Sequence, residues 1–205
     1  MSFINYQTSF RILLSCTLIL GTTLVYADGA TIAKEKCERC HGPQGNSAFE
    51  DVPSIAGISH DYTLSAIKKF KNKKRKGAPF KTDGEPETDM NEVSKDLSPQ
   101  EIKSLAKYYS QQTFIPHKQA FDPALAKKGK KVYKRRCKRC HDDGGRSVSE
   151  DAGRLAGQWT PYLEREMEMF MSGERKPRKK MARQLKKLNP GDIPALLNFF
   201  ASQQD

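Results

Sequence analysis

Two short strings, CERCH at 37–41 and CKRCH at 137–141, lie 100 residues apart and belong to a longer internal repeat. SIAG at 54–57 answers to RLAG at 154–157 at the same offset. Met90 answers to Met181, LSPQEI at 97–102 to LNPGDI at 188–193, and Tyr108-Tyr109 to Phe199-Phe200, now at an offset of 91. The first copy therefore holds nine extra residues, and GAPFKTDGEPETD at 77–89 is where they fall. A chain that repeats itself at this length reads as two copies of one domain. The expected bounds are 28–112 and 124–205, joined by a linker at 113–123. Each copy is small for a self-sufficient apolar core. A large buried prosthetic group would remedy that.

The hydrophobic spacing is helical. ATIAKEKCERCH and ALAKKGKKVYKRRCKRCH each read as a helix ending in the cysteine motif, with Ala126, Gly129, Tyr133 and Cys137 on one face of the second. Segments 62–76 and 160–173 form a second helix in each copy, and Pro161 suits the first turn of the latter. Ser98 and Glu101 have capping-box spacing, with Ile102, Leu105 and Tyr109 lining one side behind them. NPGDIPALLNFFASQ repeats this pattern, with Asn189 expected as the cap and Ile193, Leu196 and Phe200 inside. Nothing reads as a sheet, so the expected class is all-α.

The N-terminus sets the compartment. ILLSCTLILGTTLV at 12–25 is a short apolar run behind Arg11, and Val25 and Ala27 precede a plausible cut. Residues 1–27 read as a secretory signal peptide, which places the mature chain in the periplasm. The run is short for the roughly 20 residues that span hydrocarbon, so no stable membrane span is expected after cleavage. An uncleaved anchor and a lipoprotein cut before Cys16 are the alternatives. Cleavage after Ala27 leaves four cysteines, Cys37, Cys40, Cys137 and Cys140, in two tight pairs. In an exported chain, paired cysteines indicate disulfides or a bound cofactor.

Cys-x-x-Cys-His has the geometry of covalent haem attachment: two thioethers to one porphyrin edge, and the following histidine under the ring centre. Cys37 and Cys40 with His41, and Cys137 and Cys140 with His141, are thus expected to hold two haem c groups. One zinc on four thiolates is the competing reading. It needs no histidine after each pair, and it would split one site between repeats 100 residues apart. Met90 and Met181 correspond within the repeat and are the expected axial ligands opposite His41 and His141. His60 and His117 have no repeated counterparts, and Met167, Met169 and Met171 read as core or groove residues. A thioether opposite imidazole raises the reduction potential and fills the coordination sphere, which points to electron transfer. Ile55 and Leu155 are candidate ring contacts, and Trp159, Tyr162, Tyr62 and Arg154 could touch haem or its propionates.

The formal net charge is +12, concentrated in runs such as KKFKNKKRK and KKGKKVYKRRCKR. Such a charge steers acidic redox partners. Export argues against nucleic acid as the target.

Beyond the motifs, QQTFIPHKQAFDPALAKKGKKVY, RCKRCHDDGG, LAGQWTPYLE and KKMARQLKKL, with PSIAG and the Met90 region in the first half, resemble the dihaem class I cytochromes of the cytochrome c4 type. Within that group the chain is most similar to the dihaem subunit of flavocytochrome c sulfide dehydrogenase. The resemblance implies two tandem class I cytochrome c domains related by a pseudo-twofold axis, with propionate edges close together. It implies an FAD-containing flavoprotein dehydrogenase subunit as electron donor in sulfide oxidation and a soluble acceptor downstream. This chain would be the electron-accepting subunit and not catalytic by itself. A free-standing carrier feeding a terminal oxidase is the alternative. Direct catalysis at a haem is a third.

Overall fold

The computed structural model describes residues 28–148 and 152–205, so the expected signal peptide at 1–27 lies outside the described residues. Helix α1 (Gly29–Lys36) starts where the Asp28 carboxylate accepts the Thr31 amide at 2.8 Å. Cys37 breaks it, and α2 (Glu38–His41) carries the rest of the motif. Helix α3 (His60–Lys71) is capped by the Ser59 hydroxyl, and α4 (Met90–Lys95) by Asp89, which accepts from the amides of Asn91 and Glu92. Helix α5 (Pro99–Ser110) opens with the expected capping box. Ser98 Oγ accepts the Glu101 amide at 3.2 Å, and the Glu101 carboxylate accepts the Ser98 amide at 2.7 Å.

The second half repeats the plan with α6 (Pro123–Arg136), α7 (Thr160–Ser172), α8 (Lys179–Leu185) and α9 (Asp192–Ala201). Pro161 sits in the first turn of α7 as expected. The start of α9 differs from expectation. Asn189 is not its cap; Gly191, in the left-handed region, precedes the helix, and the Asp192 carboxylate accepts the Asn189 amide at 2.9 Å. The Asp192 carboxylate thus satisfies an amide that precedes the helix, and no side chain caps the first-turn amides.

Each half is built on one tight helix crossing, α1 on α5 and α6 on α9. Gly29 and Gly129 are the repeat-equivalent contact points. A Cβ on Gly29 would stand 2.3 Å from the Ser104 carbonyl oxygen, and one on Gly129 only 1.9 Å from that of Ala195. Only hydrogen fits there. Around these crossings Ile32, Leu97, Ile102, Leu105 and Tyr109 form the first core. Val132, Tyr133, Leu163, Leu196, Phe199 and Phe200 form the second.

One part of the junction between the halves is buried and uncharged. The Ser54 amide donates to Gln158 Oε1 at 3.0 Å, and Gln158 Nε2 donates to the Ser54 carbonyl at 2.9 Å. Trp159 Nε1 donates to the Ser47 carbonyl at 3.0 Å. His117, in the linker, lies 2.9 Å by Nε2 from the Ser54 hydroxyl and stacks on Trp159 with ring centres 3.9 Å apart. Among the described residues, strand-like pairing is confined to one bridge, Phe80 with Thr88, inside the 77–89 insertion, and no helix is long and apolar enough to cross a membrane.

Candidate haem-binding clefts

In the first half, α1 and α2 deliver Cys37, Cys40 and His41 to one wall of a cleft, and the start of α4 delivers Met90 to its lining. The walls between are apolar: Ile55, Ile67, Phe70, Leu97, Leu105 and Tyr109. The four residues expected to serve one haem therefore converge, as does the expected ring contact Ile55. His41 is buried, and its Nδ1 lies 2.9 Å from the Pro53 carbonyl. That contact fixes the ring and leaves Nε2 as the free lone pair, the usual arrangement for a metal-ligating imidazole. Burial lowers the His41 pKa, so the ring stays neutral and able to ligate. Burial also pushes the Cys37 thiol up to about 11.

The second half places Cys137 against its core, with burial again raising the thiol to about 11. Cys140 is exposed and His141 half-buried. Tyr133 donates its hydroxyl to the His141 carbonyl at 2.6 Å, tying the motif to α6. The counterpart of Pro53 is Gly153, whose carbonyl faces His141, yet Nδ1 has no partner at hydrogen-bonding geometry. Burial lowers the His141 pKa as well. Met181 is half-buried on α8, and Leu155 packs against the second core. The four cysteines form no disulfide.

Thiol pairs, neutral imidazoles and an apolar cleft are the donor set and the walls a covalently attached haem requires. The residues present fit that group. The 77–89 insertion helps to wall the first cleft: Gly77, Pro79 and Phe80 line it, Phe80 meets Phe49 edge-on at 5.0 Å, and Glu85 pairs with Arg39 of the motif at 2.7 Å.

Several expectations shift. Trp159 is used in the domain junction, on His117 and Ser47. Tyr62, Tyr162 and Arg154 line the first cleft, the latter two reaching it from the second half. His60 is exposed, whereas His117 is buried in the junction. The run KKFKNKKRK is not uniformly surface, because Arg75 within it is only 7% exposed and pairs with Glu166 at 2.9 Å. Sequence reading named His117 without its place in the junction, and missed Gln158, Arg75 and Glu166. The offset of 100 that pairs Arg75 with Arg175 was the available signal.

Comparison with known proteins matches this architecture. The family model described as Cytochrome c matches residues 26–112 and again 126–204. Cytochrome c4 of Azotobacter vinelandii is 31% identical, over 80% of this chain and 84% of the relative. The structure of reduced recombinant cytochrome c4 from Pseudomonas stutzeri superposes with a TM-score of 0.67 at 29% identity, covering 86% of this chain and all of that one. A thiosulfate dehydrogenase electron acceptor of Thiomonas intermedia is 28% identical over 68% of this chain and 64% of the relative. With both halves matched, the chain belongs to the cytochrome c family, as an all-α, cytochrome c4-like dihaem class I cytochrome that carries two covalently bound c-type haems and transfers electrons.

Proposed function

We propose that the chain is a free-standing periplasmic electron carrier that collects electrons from a donor dehydrogenase and delivers them to a terminal oxidase. Cys37 and Cys40 would hold one haem and Cys137 and Cys140 the other. His41 with Met90, and His141 with Met181, would supply the protein ligands to each iron. Residues 1–27 are the export signal, and 28–112 and 124–205 the two haem domains around a 113–123 linker. Bound haem supplies a one-electron iron couple; the chain's part is to position, shield and tune it. The His41 ring is held by the Pro53 carbonyl, and Ile55, Ile67 and Leu105 supply apolar walls to the same cleft.

The convergence of Cys37, Cys40, His41 and Met90 on one cleft carries the haem part of this reading, and the similarity to cytochromes c4 supports the carrier part. The exposed large hydrophobics among the described residues are four, Phe49, Ile115, Phe121 and Met171, and Phe49 is partly engaged by Phe80. A permanently covered subunit face would be more apolar. Met181→Ala tests the ligand assignment. It should abolish the thioether-to-iron charge-transfer band of one haem and lower that haem's potential; a retained band rejects Met181 as ligand.

A second reading has an observation in its favour. Similarity to an electron acceptor of thiosulfate dehydrogenase supports a dedicated role beside a sulfur-oxidising enzyme. The electron-accepting subunit of a flavoprotein sulfide dehydrogenase is one form of it. Native purification separates the two: a stoichiometric flavin-bearing companion supports the subunit, and a monomer oxidised rapidly by membranes containing a terminal oxidase supports the carrier.

A further inference from the structure

Three ionised side chains meet where the halves join. Arg75 follows α3, Arg175 follows α7, and Glu166 lies on α7 between them. Arg75 and Arg175 are equivalent in the repeat, and so are their surroundings. Arg75 lies over the Phe70 ring at 4.5 Å, and Arg175 over the equivalent Phe170 at 4.4 Å. Arg75 Nη2 donates to Glu166 Oε1 at 2.9 Å, and Arg175 Nη1 donates to Glu166 Oε2. The position equivalent to Glu166 in the first half is Ala66. One carboxylate thus serves two guanidiniums. Tyr62 and Tyr162, again equivalent, close the cluster crosswise: the Tyr62 hydroxyl faces Arg175 and the Tyr162 hydroxyl faces Arg75.

The cluster is buried and positively charged. Arg75 is 7% and Glu166 8% exposed. Arg75 Nε has no hydrogen-bond partner. A buried cation in excess over its counter-charges is costly unless an anion completes it. Arg75, Tyr62, Tyr162 and Glu166 line the same cleft as His41 and Met90. A haem brings two carboxylates on one edge, acceptors to which a guanidinium with an unused N–H can donate.

We infer that Arg75, Glu166 and Arg175 form a shared electrostatic regulator of both redox centres, in which the arginines receive haem carboxylates and the single Glu166 sets the potential of both irons together. Glu166 touches both arginines, so its charge acts on both halves at short range and through little water. Arg75, in the lining of the first cleft, would favour the reduced, less positive state of the first haem; its repeat equivalence assigns Arg175 the same part toward the second, and Glu166 offsets both. The inference rests on the haem reading above. Haem loading by intact mass tests that reading separately.

The test is a spectroelectrochemical titration of the doubly haem-loaded protein, resolved into two one-electron steps. Glu166→Gln should raise both midpoints. At a fixed potential near each midpoint, the reduced-to-oxidised ratio of each haem should rise on the order of threefold, about 28 mV at 59 mV per decade. Arg75→Gln should lower the first haem's potential more than the second's, and Arg175→Gln the reverse. Arg75→Met with Glu166→Met removes one charge of each sign and should return both midpoints toward the parent, which serves if a single variant folds poorly. A lowered unfolding temperature with both potentials unmoved would make the cluster a domain staple and overturn the inference. So would a shift confined to one haem in Glu166→Gln.

Discussion

The two halves are built alike but finished differently. In the first, His41 is buried and held by the Pro53 carbonyl, and the 77–89 insertion lines the cleft. In the second, the shorter copy leaves Cys140 exposed, His141 half-buried and its Nδ1 without a hydrogen bond. Charge follows the same division. Each motif has two acids beside it, Glu35 and Glu38 or Asp142 and Asp143, but the second has the denser basic run, with Lys134, Arg135, Lys138 and Arg139 all exposed. One scaffold thus carries two motifs that differ in how their histidines are held and in the charge around them. The scaffold is fixed by the helix crossings, and the difference comes from loops and side chains.

The crossings are where that comparison breaks hardest. Gly129→Ala puts a methyl 1.9 Å from a backbone oxygen and should cost about 3 kcal/mol, the upper end for overpacking. Gly29→Ala, with 2.3 Å of room, should cost about 2 kcal/mol. Denaturant unfolding of the two holoproteins checks the ranking; equal, near-zero losses would mean the helices slide apart at no cost.

The junction between the halves responds to acid. Burial lowers His117 to about 4 in the folded protein, against about 6.5 when unfolded. The unfolded chain therefore binds the extra proton first. Stability should be full above pH 6.5 and fall as the pH drops toward 4, by about 2 kcal/mol after allowing for partial solvent access. His117→Gln should flatten that dependence. An unchanged acid slope in the variant would assign it to other groups.

The smallest expected effect is at the insertion. Arg39 and Glu85 are both substantially exposed, so Glu85→Ala should cost under about 1 kcal/mol. Its signature should be local: faster hydrogen exchange at the Phe80 and Thr88 amides, which bond each other's carbonyls at 2.8 and 2.9 Å. Unchanged exchange there would show that the Phe80–Phe49 contact alone holds the insertion.

Much of this was legible in the residues. Duplication, helical periodicity, the Ser98–Glu101 box and the Cys-x-x-Cys-His strings each rest on short-range pattern, and the fold follows them. The start of α9 misled, because Asn189 resembles a cap while a left-handed Gly191 moves the helix onward. The junction was hidden for a different reason. Ser54 and Gln158, or Ser47 and Trp159, meet across more than a hundred residues, and no local period announces such a pair. Arg75 was hidden by its neighbours: amid lysines it reads as one more solvated charge, and only tertiary contact with Glu166 sets it apart.

The reciprocal bonds between Ser54 and Gln158 have one more consequence. They are neutral and buried, so dissolved ions screen them little, while the lysines around Cys140 feel every change in ionic strength within about 10 Å. Arrival and departure of partners should therefore quicken or slow with the medium. The spacing of the two halves should not follow the medium, because it is set when the protein folds.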